Sequence, residues 1–165
     1  MSDRTLKERL QPSLLDRLTD DAPTQASESR DARVIDMRRL RDIIRRDLAW
    51  LFNTNDMGAE LDPVLYPHAS RSVLNFGLPD LAGDFSTSDR VAEIRASIRT
   101  AIERFEPRIR RESIEVRDRA TEARTGTTIT FDILADMWAE PLPLELYLRS
   151  QIDVTTGEVD LEHRV

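Results

Sequence analysis

One short stretch joins a carboxylate, a rigid imino acid and a guanidinium. It is Glu106-Pro107-Arg108, with Arg104, Arg110 and Arg111 beside it. A carboxyl group can serve as proton donor in glycoside cleavage, but that role needs an apolar pocket to keep the acid protonated. Positive neighbours favour the charged form instead. The residue types therefore predict an ion-pair member rather than an acid catalyst. Pro107 fixes its own φ and pushes Glu106 into extended geometry. Such a corner presents its charges with little entropy left to lose on binding. Two uses follow from local sequence: an internal salt bridge that closes a helix, or a docking corner for a partner.

Other chemistry is missing from the residue list. With no cysteine in 165 residues, a thiol nucleophile, a disulfide framework and cysteine zinc sites are all excluded. No P-loop, GxGxxG or GxSxG motif occurs. His68 and His163 lie far apart without metal-ligand spacing and read as surface residues. The stretch Asp153 to Asp160 loosely resembles a calcium loop. It lacks the alternating acidic register and the bidentate glutamate, and a hairpin turn fits it better. A carboxylate pair for glycoside cleavage, Glu106 with Asp80 or Asp118, is the one enzymatic arrangement left to weigh. No catalytic, cofactor-binding or metal-binding residue is assigned.

The elements that would position the corner follow from periodicity. Leu6, Leu10, Leu14, Leu15 and Leu18 form an apolar helical stripe interrupted at Pro12. Residues 19–33 lack large apolar groups and read as a flexible linker, which leaves 1–18 as a leucine-bearing peptide on a tether. That peptide packs on its own domain or docks on a partner through Leu14, Leu15 and Leu18. The single domain is expected over 34–165. Its first helix spans 34–52, with Met37, Leu40, Ile44, Leu48 and Leu51 on one face and arginines on the other. A short helical turn is expected at Ala69 to Leu74, with Gly77 closing it in a left-handed conformation. A second helix is expected from Asp89 to Phe105, capped by Thr87, Ser88 or Asp89 and stopped by Pro107.

From residue 112 the apolar period becomes two. Ile114 and Val116, then Ile129 through Met137, then Leu142 through Leu148 with Ile152 and Val154, alternate with polar residues. Turns are expected at Thr125-Gly126, Glu140-Pro141 and Thr155-Thr156-Gly157. The fold class is α+β: two main helices and a short one on a small antiparallel or mixed sheet formed by the C-terminal third.

Charge is distributed unevenly. Residues 1–111 carry 19 acidic and 19 basic side chains, and residues 112–165 carry 12 and 5, so the whole net charge of −7 lies in the last third. An acidic molecule disfavours non-specific nucleic-acid binding, and an acidic face can steer a basic partner. No apolar run is long enough to span a bilayer, and the first ten residues lack the apolar core of a secretory signal. A cytoplasmic protein without membrane insertion is expected.

Several of these segments together carry a resemblance. They are Leu14-Leu15-Asp16-Arg17-Leu18, an arginine-rich helix ending at Leu51-Phe52-Asn53-Thr54, Asn75-Phe76-Gly77-Leu78-Pro79-Asp80, and Phe105-Glu106-Pro107-Arg108 before an acidic sheet. In this order they resemble the TssE family, the small baseplate subunits of the bacterial type VI secretion system. That family is similar to the baseplate wedge protein of contractile phage tails, once labelled tail lysozyme. Phe76 stands where tyrosine is commoner, and it keeps the aromatic packing. The resemblance implies a non-enzymatic subunit of a ring-shaped hetero-oligomeric baseplate, docked at the inner-membrane complex. It also implies that the subunit binds other wedge subunits and sheath proteins and helps initiate sheath assembly. Glu106, Pro107 and Arg108 are implied to contact the helical core of the wedge, and the sheet to resemble a sheath domain that exchanges strands. The alternatives are a peptidoglycan hydrolase, as the old label would have it, or a regulatory adaptor of the same fold.

Overall fold

A computed structural model describes residues 13–20, 23–24, 36–58, 60–83, 88–119, 128–138 and 144–164. Among the described residues three α-helices precede four strands. Helix α1 is Leu14–Leu18, α2 is Met37–Phe52 and α3 is Ser88–Phe105; strands β1 to β4 are Glu115–Asp118, Thr128–Met137, Leu144–Asp153 and Val159–His163. The strands form one antiparallel sheet in the order β1-β2-β3-β4. The expected α+β class holds, and the sheet is antiparallel throughout rather than mixed.

The apolar faces read from sequence meet in one core. From α2 come Leu40, Ile43, Ile44, Leu48, Leu51 and Phe52; from α3 come Val91, Ile94, Ile98, Ala101 and Ile102. The inner sheet face supplies Phe131, Ile133, Ala135 and Met137 of β2, then Leu146, Leu148 and Ile152 of β3. Helix α2 packs towards β4 and α3 towards β1, so the two helices share one face of the sheet. Ser150 interrupts the apolar parity of β3. It is fully buried opposite Phe131 and Leu161, and its hydroxyl has no hydrogen-bond partner.

Helix α2 starts at Met37 because the Asp36 carboxylate accepts the Arg39 N–H at 2.7 Å. Asn53 ends it, and its amide then reaches β4. Nδ2 donates to the Val159 carbonyl at 2.8 Å and Oδ1 accepts the Val159 N–H at 2.9 Å. Helix α3 ends at Phe105, as Pro107 requires. The expected capping residue Thr87 lies outside the described residues, and Ser88 and Asp89 sit inside the first turn. The hairpin turn between β3 and β4 forms where expected. Gly157 there has φ +77° and donates to the Asp153 carbonyl. The turns at Thr125-Gly126 and Glu140-Pro141 lie outside the described residues, as do Leu6, Leu10, Pro12 and most of the linker 19–33.

Three expectations are corrected. The helical turn over Ala69 to Leu74 is two 3-10 turns, Ala69–Arg71 and Val73–Asn75, divided at Ser72. The Ser72 backbone is extended and its hydroxyl accepts the Leu74 N–H, a local bond that competes with a continuous helix. Gly77 does not close a helix. Its φ is +135°, and a Cβ there would lie 2.2 Å from the Thr54 carbonyl oxygen, because residues 54–56 bridge to Leu78 at this point. His163 is not a plain surface residue: it is half-buried, with Nε2 3.3 Å from Asp42 Oδ1. Burial pushes its pKa down against the opposing pull of Asp42.

Candidate functional site

The Glu106-Pro107-Arg108 corner is anchored on both sides. The Glu106 N–H completes the last helical turn by donating to the Ile102 carbonyl at 3.0 Å. Beyond the proline the chain pairs with the end of β2. Trp138 N–H donates to the Arg108 carbonyl at 2.7 Å, Ile109 bridges Met137, and Arg110 N–H donates to the Asp136 carbonyl at 2.9 Å. The corner is therefore held between a helix end and a strand end.

Its side chains form one end of a five-residue ionic chain. Arg108 Nε donates to Glu106 Oε1 at 2.6 Å and Nη2 donates to Glu106 Oε2 at 2.5 Å. The same Nη2 donates to Asp47 Oδ2 of α2 at 2.6 Å. The other Asp47 oxygen takes Arg46 Nε and Nη2 at 2.9 and 2.7 Å. Arg46 Nη1 then reaches Asp16 Oδ1 of α1 at 2.6 Å. Asp16 also accepts the hydroxyl of Ser13, the residue that caps α1. The order is Asp16, Arg46, Asp47, Arg108, Glu106, and it links three elements far apart in sequence.

Glu106 is 5% exposed, and both its oxygens are taken by Arg108. At a helix C-terminus a lone carboxylate would oppose the helix dipole, and the guanidinium offsets that cost. Burial works against the charge on Arg108, but the hydrogen bonds to Glu106 and then to Asp47 outweigh it and raise its pKa above the ordinary arginine value. The hydrogen bond from Arg46 lowers the pKa of Asp16, against an opposing burial effect. Of the four arginines clustered there in sequence, Arg108 is the one whose side chain bonds Glu106 among the described residues. Arg104 donates to the Ser70 carbonyl, and Arg110 lies over the Trp138 ring at 4.7 Å. Neither Asp80 nor Asp118 joins this group: Asp80 accepts the Ala82 N–H and Asp118 sits at the end of β1.

Asp47, Arg108 and Glu106 of this chain of charges border an apolar groove of about 440 Å³. Its lining includes Leu14 and Leu15 of α1, Trp50 of α2, Phe76, Phe105, Glu106, Pro107 and Arg108. Phe76 and Phe105 meet edge to face with centroids 5.2 Å apart. Arg46 lies 4.9 Å over the Trp50 ring. The two segments singled out from sequence, the leucine peptide and the charged corner, thus border one groove. Leu18 stands outside it and is 74% exposed. Sequence reasoning missed Asp16, Arg46 and Asp47. An adjacent Arg-Asp pair on the arginine-rich face of α2 was the available signal, but nothing in the sequence pairs it with residues 30 or 61 positions away.

The comparison with protein families decides the kinship. The model described as baseplate wedge protein gp25 matches residues 38–142, well over half of the chain. The chain belongs to the gp25 baseplate wedge family. Membership makes it a component of a phage-tail-like contractile system. The gp25 match spans Arg46, Asp47 and the Glu106-Pro107-Arg108 corner, and it excludes α1, β3 and β4. No curated protein and no solved structure matches the chain. Among the described residues no helix is long and apolar enough to cross a membrane.

Proposed function

We propose that this protein is a TssE-type wedge subunit of a bacterial type VI secretion baseplate, acting in the cytoplasm as a non-enzymatic assembly piece. The observation that carries the reading is the shared groove: Leu14 and Leu15 border the same surface as Pro107 and Arg108. A rigid corner beside exposed leucines and aromatic rings is the chemistry of a docking hot spot. In this reading Pro107, Arg108, Leu14, Leu15 and Leu18 contact other wedge subunits. Glu106 acts from behind, by fixing Arg108. Its engagement with Arg108 also argues against a role as acid catalyst.

Engagement of the sheath is assigned to the sheet edge. The two edges differ. Asp153 N–H bonds the Glu158 carbonyl and Arg164 N–H bonds the Tyr147 carbonyl, so residues 159 and 161 turn their backbone groups outwards from β4. Asn53 binds both groups of Val159, and Arg45 donates to the Leu161 carbonyl at 3.3 Å. At the other edge the register turns Val116 and Asp118 outwards, and among the described residues no side chain is bonded to their backbone groups. An uncapped edge can accept a strand from another chain, so β1 is the edge offered to the sheath.

Co-purification with wedge and sheath proteins from native lysate tests the reading. Pro107→Asp and the pair Leu14→Ser with Leu15→Ser alter exposed groups and should leave the circular dichroism unchanged while reducing capture at least severalfold. Undiminished capture by both variants overturns it. A lysing zone in a cell-wall zymogram would favour the hydrolase, and capture of one unrelated target would favour the adaptor.

A further inference from the structure

Helix α1 is attached to the body by its polar residue and not by its leucines. None of its five residues is buried, and Leu14 is 70% exposed. Its firm contact is the Asp16 carboxylate on Arg46. The pair is two-pronged and the Asp16 side chain is only 9% exposed, yet it anchors a helix of five residues, too short to hold its shape by itself. Residues 19–36 separate α1 from α2, enough chain for α1 to leave the body while the core stays intact.

We propose that α1 is a displaceable strap, and that the face beneath it is a docking site for a partner's helix carrying a carboxylate flanked by leucines. α1 is the intramolecular stand-in for that helix. The chemistry of the site is visible in how α1 occupies it. Arg46 offers two N–H groups to a carboxylate, while Asp47 holds its other side and Arg108 in place. Trp50 lies 4.9 Å from that guanidinium, and Phe105 and Pro107 line the groove that Trp50 also borders. A guanidinium fork beside aromatic surface selects a carboxylate with apolar neighbours. Displacement releases α1 with its already exposed leucines as one mobile arm, so docking of one partner at the corner widens the reach of that arm for another contact. This rests on the groove being a partner site and adds the chemistry of the partner.

The test uses the full chain and a synthetic peptide spanning Gln11 to Asp21, followed by NMR at the Trp50 indole, with Trp138 as reference. The Asp16→Asn chain should bind the peptide about tenfold or more tighter than the unaltered chain, because the tethered competitor is weakened. Arg46→Gln should abolish binding, and a peptide carrying Asp16→Asn should bind neither chain. Equal affinity for the unaltered and Asp16→Asn chains, or no binding to the latter when its circular dichroism is native, overturns the strap. Concentration-dependent dimers of the unaltered chain that the peptide dissolves would make the occupant a second copy, which also overturns a separate partner. If the peptide fails while wedge proteins still co-purify, the strap alone is lost. If the peptide binds while co-purification fails, the baseplate reading alone is lost.

Discussion

Arg108 shows how one side chain can hold a corner together. Removing it leaves the buried Glu106 carboxylate without its partner. Arg108→Ala should cost about 3 kcal/mol, read as a lower urea midpoint at unchanged slope. Arg117→Ala is the contrast: its pairing with Glu115 is exposed, and its midpoint should not move. Ser150 predicts the opposite sign. Its hydroxyl is buried without a partner, so Ser150→Ala should be neutral or stabilise by about 1 kcal/mol, checked by the same denaturation. Asp16 carries a pH dependence. Its pKa in the docked helix lies below the ordinary aspartate value of 3.8, so the docked state is favoured fully above that value. Docking is then lost as pH falls through the lowered pKa. Trp50 fluorescence in a Trp138→Phe background should report that transition, and Asp16→Asn should lack it.

At the scale of elements, two clamps tie the α2 end to its surroundings. Gly77 permits the bridge between residues 54–56 and Leu78. Gly77→Ala brings a Cβ against the Thr54 carbonyl at a positive φ, and should cost at least about 2 kcal/mol. Gly83 also has positive φ but faces open space, so Gly83→Ala should lower the melting temperature less. Asn53 joins the end of α2 to β4 through both amide atoms. Asn53→Ala should cost about 1–2 kcal/mol and speed hydrogen exchange at the Val159 amide, since that N–H loses its acceptor. The element boundaries were largely legible in the sequence, because the 3.6 and 2 periods of the apolar residues mark which faces are covered. The divided 3-10 turns were not: Ser72 satisfies its neighbour's backbone by a local bond that periodicity does not register.

At the scale of the molecule, the charge asymmetry gives the sheet end an acidic character opposite to that of a basic partner strand. Glu115 and Asp118 lie on β1, and Asp160 and Glu162 on β4, all exposed. Within the outer face Asp132 accepts Arg149 and Tyr147, so part of that charge is already neutralised. The remaining surface charge should make association with a basic sheath segment fall with added salt, chiefly through the on-rate. Measured association rates that stay flat between low and high salt would assign the contact to the apolar groove instead.

Composition, periodicity and the residue types by themselves determined the α+β class, the covered faces of α2, α3 and the sheet, and the reading of Glu106 as an ion-pair member. Each of these depends on neighbours a few positions away. The tertiary structure decided which arginine Glu106 meets, that Asp47 and Arg46 extend the pair to Asp16, and that the leucine peptide and the proline corner border one groove. Apart from the short-range Glu106–Arg108 and Arg46–Asp47 pairs, those facts depend on contacts between residues 30 or more positions apart. An arginine among many arginines carries no mark of its partner, because Coulomb attraction has no sequence period and only packing selects which charges come within reach.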